Sequence, residues 1–221
     1  WHDQVAVGRA AVAAAQRLAD PTAQARIQRT LAYAYTRLGR IDDAHTHLSL
    51  AFLWERRGQP AQALPYAQQA LHLYQATGHQ IGQAHALNSV GWSYTLLGEH
   101  QQALTYCQQA LTLLQQLGGR DGQAGTWDSL GHAHHHLGQH TQAITCYQQA
   151  ITLYRDLGDR YYEAGTLTHL GDTHHAAGNP HTARDAWQQA LTILDDLDHP
   201  DAAQVRAKLA GLDPPADPST S

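Results

Sequence analysis

The stretches "ALTYCQQALTLLQQLG" (103–118) and "AITCYQQAITLYRDLG" (143–158) carry the same pattern forty residues apart. "ALPYAQQALHLYQATG" (63–78) and "ARDAWQQALTILDDLD" (183–198) extend it in both directions at the same step. A second motif lies between the copies, as "HALNSVGWSYTLLG" (85–98), "GTWDSLGHAHHHLG" (125–138) and "GTLTHLGDTHHAAG" (165–178). Self-similarity at a fixed period of this length marks a repeat architecture.

Each period reads as two helices. Trp127, Leu130, Gly131, His134 and Leu137 share one face at helical spacing, and Gly138 then stops the first helix. Ala143, Ile144, Tyr147, Ala150 and Ile151 do the same in the second. The small Ala143 and Ala150 let helices approach closely, and Tyr147 fills the space between them. "LGDR" at 157–160 leads into the next unit.

The spacing W-x2-L-G-x2-Y…A-x3-F resembles the tetratricopeptide repeat (TPR). Here it is Trp127, Leu130, Gly131, His134, Ala143 and Tyr147, with further copies at Val90, Gly91, Tyr94, Ala103, Cys107 and at Leu170, Gly171, His174, Ala183, Trp187. The resemblance implies an all-α fold, a right-handed superhelical solenoid of antiparallel helix pairs with a 40-residue repeat, over residues 22–198. Regular repeats are expected at 80–119, 120–159 and 160–198, with an irregular region at 22–78. There the pattern reads as separate helices at 22–38, 41–57 and 60–76, and "IDDAHTHLSLAFLWERR" (41–57) carries the signatures of both helix types at once. Residues 1–21 read as a partial helix (3–19), 199–211 as a capping helix and 212–221 as a disordered tail, about eleven helices in all.

"THLSLAFLWERRGQPAQALPYAQQAL", "TWDSLGHAHHHLGQH" and "LDHPDAAQVRAKLAGLD" also resemble the C-terminal TPR region of actinobacterial SARP-type regulators with an NB-ARC (STAND) switch. That likeness implies the sensor or docking module of a larger transcriptional regulator. Its groove would take a peptide, a protein or the regulator's own NTPase domain. The sequence holds no methionine, position 1 included, and is therefore expected to be a segment of a longer chain.

Composition narrows the function classes. No apolar run reaches the roughly 18 residues of a membrane span, and two cysteines with no leader point to the cytoplasm. The net charge of −5 argues against nucleic-acid binding by this segment. Charge is uneven: residues 1–60 carry eight Arg against five acids, a balance of +3, and the rest carry −8. There is no phosphate loop, no G-x-S-x-G, no H-E-x-x-H and no CxxC, and Lys208 is the one lysine. Ser129 and Asp128 point about 100° apart on one helix, which gives no catalytic pair. No enzyme activity and no cofactor are expected.

The stretch "GHAHHHLGQH" (131–140) decides the remaining chemistry. At about 100° per residue, His134 falls with the core face, as does its counterpart His174, and His136 points to solvent. His132 and His135 share a third direction with Asp128. In a TPR array the first helices line the concave face, so the groove is expected to contain Arg26, Arg29, Tyr33, Arg37, Phe52, Glu55, Asn88, Trp92, Thr95, Asp128, His132, His135, Asp172 and His175. It would run from cationic through aromatic to acidic, with Trp92 as anchor. His132, His135, Asp172 and His175 are additionally a candidate set for a transition metal or a pH response. Self-association of the array, giving a homo-oligomer, is the alternative function.

Overall fold

The computed structural model describes residues 21–212, with side chains at Thr30 and from Thr36 onward. The expected helix over 3–19 and the tail from 213 lie outside the described residues, as do the side chains of Arg26, Arg29 and Tyr33. The described residues form nine helices and no strand. They are α1 (Pro21–Arg56), α2 (Pro60–Thr77), α3 (Gln80–Leu96), α4 (His100–Leu117), α5 (Arg120–His136), α6 (His140–Leu157), α7 (Arg160–Ala176), α8 (Pro180–Asp196) and α9 (Ala202–Ala210).

A glycine with positive φ recurs every twenty residues, from Gly58 at 70° to Gly178 at 79°. Each turn reaches the left-handed region that a side chain disfavours. The reversal is closed by paired backbone bonds, as where Gly158 N–H donates to Arg155 O at 3.1 Å and Asp159 N–H to Tyr154 O at 2.9 Å. At the next beat Asp198 takes the same conformation, φ 49°, without being glycine.

One beat is missing at the other end. The separate helices expected at 22–38 and 41–57 are a single helix, α1, of 36 residues. Gly39 lies inside it with open space where a side chain would be. An isolated glycine costs a helix only about 1 kcal/mol. Ile41, Ala44 and Ala51 are buried with Leu48 half-buried, an apolar stripe at helical spacing that favours continuation over a turn.

The chain divides after Ser89 into two compact units. In the first, α1 packs along α2. Ile41, Ala44, Ala70, Leu73, Tyr74 and Ala86 form its core. In the second, α5 pairs with α6 and α7 with α8, while α4 packs on α5, α6 on α7, and α9 on α8. One slot recurs within it. A Cβ added to Gly131 would lie 2.6 Å from the Tyr147 ring, and one added to Gly91 or Gly171 would collide with Cys107 or Trp187. The same backbone approach is thus filled by a thiol, a phenol and an indole in successive copies. Ala202 and Val205 of α9 close the last layer against Trp187 and Leu194.

Candidate functional site

The first helices α5 and α7, the end of α3 and the closing helix α9 surround a cavity of about 470 Å³ in the second unit. Its wall follows the repeat. Trp92, His132 and Asp172 succeed one another at forty residues, as do Asp128, Thr168 and Lys208, and all six line it. Four residues advance a helix by about 400°, so the two sets occupy neighbouring positions on one face.

Two ion pairs organise this wall. Asp128 accepts from His169 Nδ1 at 3.1 Å. Burial alone would lower the His169 pKa, but the charge and hydrogen bond of Asp128 outweigh it and lift the ring above its ordinary value. Burial alone would raise Asp128, yet His169 holds the carboxyl below its usual range. Each partner thus favours the charged form of the other. Asp172 accepts from Lys208 Nζ at 2.8 and 3.0 Å and from Trp187 Nε1 at 3.1 Å.

His132 differs from both pairs. Its Nδ1 is buried with no hydrogen-bond partner, and its ring stands 4.6 Å from His136, 5.0 Å from Trp92 and 5.1 Å from His169. Burial, then the neighbouring His169, push its pKa down to about 3. It is neutral at the cavity wall.

Of the expected groove residues, Trp92, Asp128, His132 and Asp172 converge on the cavity. Thr95, His135 and His175 do not line it. Thr95 is buried and donates to Gly91 O of its own helix at 3.2 Å. His135 Nδ1 bonds Thr173 Oγ1 at 2.8 Å. His175 is exposed, its ring 5.7 Å from that of Trp187. In the first unit, Glu55 accepts from Ser89 Oγ at 3.3 Å, Phe52 is exposed beneath the Arg56 guanidinium at 5.8 Å, and Arg37 and Asn88 are half-buried.

The metal expectation loses its geometry. Asp172 is engaged by Lys208, His135 by Thr173, and His175 is exposed with its ring towards Trp187. Among the described residues no three His, Cys, Asp or Glu side chains are placed to hold an ion. His134 and His174 are half-buried rather than core residues. The core beside Gly131 and Gly171 is filled from the facing helix by Tyr147 and Trp187, and His134 Nδ1 turns to Gln139 Oε1 at 2.6 Å. His136 is exposed, as expected, and stacks on His100 at 5.0 Å.

Sequence reasoning missed His169 and Lys208. His169 stands forty-one residues after Asp128, one off the forty-residue register. Lys208 was within reach, because the step from Asp128 to Thr168 arrives at it when continued. Ser129 donates back to Gly125 O at 2.9 Å, and burial pushes the Cys107 and Cys146 thiols up to about 12 and about 11, which silences them as nucleophiles.

The family model described as tetratricopeptide repeat matches residues 45–116 and 122–196, well over half of the chain. The chain belongs to the tetratricopeptide repeat family. TPR proteins generally bind peptides or other proteins. Among solved structures, this TPR chain is similar to BtubC (BKLC) from P. vanneervenii, at 21% identity over 100% of this chain and 96% of that one, with a TM-score of 0.54. It is similar to a Rap protein complexed with competence and sporulation factor, at 15% identity over 95% of this chain and 58% of the other, with a TM-score of 0.71. A kinesin-light-chain-type protein of Podosopora anserina with nearly identical TPR-like repeats matches at 16% identity over 76% and 84%, with a TM-score of 0.61. These identities speak to the fold alone. No match emerges among curated proteins. No helix among the described residues is long and apolar enough to cross a membrane.

Proposed function

We propose that this TPR chain is a non-catalytic docking or sensing module that takes a peptide segment on the first-helix face of its second unit. The observation that carries the reading is the cavity there, where Trp92 stands half-buried beside His132 and Asp172. A concave site with aromatic walls and a few placed polar groups is the ordinary form of a ligand pocket, and a central Trp is a favoured anchor. The Rap protein of similar fold was solved with a bound factor, and a comparable occupancy is proposed for this chain. Selection of a displayed random hexapeptide library on the immobilised chain tests it. Enrichment lost on Trp92→Ala supports the reading, and enrichment no greater than on blank resin overturns it.

The module serves, on the same proposal, a larger cytoplasmic transcriptional regulator of the SARP type. The likeness of residues 46–71 and 197–213 to that family's TPR region supports this. Sequencing of the upstream coding region checks it, since the absence of a Walker-type NTPase there would sink it.

Self-association is the second reading. Phe52 and Leu53 on α1 are 48% and 54% exposed, side by side, and adjacent exposed apolar groups favour contact with another copy. Light scattering that reports a monomer at high micromolar concentration removes this reading.

A further inference from the structure

We infer that the cavity of the second unit is a cation site, in which the guanidinium or ammonium group of a bound peptide is held by Asp172 against the aromatic walls of Trp92 and Tyr161. This rests on the docking reading and assigns the chemistry of its ligand.

Three observations point the same way. The first is charge. Asp128, Asp172 and Asp201 all line the cavity, against two basic groups, His169 and Lys208. Each basic group is held by one carboxylate, His169 by Asp128 and Lys208 by Asp172. Asp201 remains in excess, contacted by the Tyr161 hydroxyl at 3.3 Å and by the His199 ring at 3.5 Å. His132 is neutral and adds no opposing charge. An anionic ligand would face three carboxylates and would have to take Lys208 from both oxygens of Asp172.

The second is the wall material. Trp92, Tyr161 and Tyr162 contribute three rings, and an aromatic face attracts a cation, most strongly where water is partly excluded. A volume of about 470 Å³ falls in the range of small-ligand sites, roughly 300–1,000 Å³. It admits a long basic side chain with some flanking backbone.

The third is that the site already holds a cation. Lys208 Nζ reaches both Asp172 oxygens and stands 5.9 Å from the centre of the Trp187 ring. An ammonium among carboxylate and indole groups is the chemistry proposed for the ligand. The side chain holding it comes from the short closing helix and is 27% exposed, so it can swing out to water and leave Asp172 to an incoming group. An arginine is the better substitute, because its planar fork binds a carboxylate through two hydrogen bonds and stacks on a ring as well.

The opposite effects of two substitutions make the idea testable. Hexapeptides selected on the wild-type chain should carry Arg or Lys at one recurrent position. A synthetic peptide of that sequence should bind about tenfold more weakly when citrulline, its neutral isostere, replaces the arginine. Asp172→Asn should weaken binding by a similar factor, and Asp201→Asn should weaken it less. Lys208→Met should tighten it severalfold, a change that damage to the fold would not produce. Lys208 is the one lysine of the chain, so reductive methylation with ¹³C-formaldehyde gives a single lysine side-chain signal, which should move as the peptide displaces it. Selected peptides without a basic residue, but still dependent on Trp92, would overturn the cation inference and leave the docking reading standing. Equal binding of the arginine and citrulline peptides would do the same. A selection that enriches nothing overturns both.

Discussion

Helix α1 and the helices after it are built from similar words and end differently. "TRLGR" at 36–40 resembles the "LLGE" at 96–99 and the "HLGQ" at 136–139, yet the chain turns at Gly98 and Gly138 and runs straight through Gly39. The difference lies in the next residues. After Gly39 the apolar stripe of Ile41, Ala44, Leu48 and Ala51 continues along the same helix. After Gly138 the apolar run restarts at Ala143 on a new axis. A glycine permits a turn without requiring one; two residues beyond it, α1 buries Ile41 where the half-buried His140 follows Gly138.

Substitutions can break this comparison, starting with the largest effect. Gly171→Ala pushes a methyl into the Trp187 ring. It should destabilise the chain by about 3 kcal/mol, read as a fall in the urea midpoint. A midpoint within error of wild type would show that the Gly–Trp approach is not tight.

The next effect is on pH. Unfolded, His132 takes up a proton as pH falls through 6.5, and folded it stays neutral down to about 3. The unfolded state then binds more protons, so stability falls as pH drops through this window. The slope from this one group is up to about 1.4 kcal/mol per pH unit. His135, His136 and His174, also lowered chiefly by burial, act in the same direction. His169 acts oppositely: its raised pKa supplies stability that is complete below 6.5 and lost as pH rises through the folded value. Urea melts of His132→Phe between about pH 7 and 5 should show a shallower loss than wild type, and parallel curves would refute the assignment.

Smaller effects are expected at the two irregular beats. Asp198→Gly should stabilise by about 1 kcal/mol, because a side chain no longer occupies a left-handed conformation. Gly39→Ala should stabilise by about 1 kcal/mol or slightly less, since the helix is continuous and the space is open. Both are read as rises in Tm. A loss of stability on Gly39→Ala would mean that the chain turns there after all.

The regular repeats were readable because their determinants are local and recur: a glycine at the turn, and a small residue opposite a larger one sixteen positions later. The run through Gly39 was hidden because the same local word occurs in both outcomes. At the site, Asp128 and His132 came from helical angle within one copy, and the forty-residue step carried that direction to Trp92 and Asp172. The ion pairs did not, because they join neighbouring helices off that step, Asp128 to His169 and Asp172 to Lys208. Helical angle gave the sides of α5 and α7 but not the reach of their side chains, so His135 and His175 were placed with a cavity they do not line.

Three of the close approaches of glycine to a filler each lie inside one forty-residue copy: Gly91 with Cys107, Gly131 with Tyr147, Gly171 with Trp187. A genetic crossover between copies in the connections after Gly118 and Gly158 would therefore add or delete a whole copy with these three contacts intact. The gene can change the length of its array in one step, and selection can then vary the fillers separately.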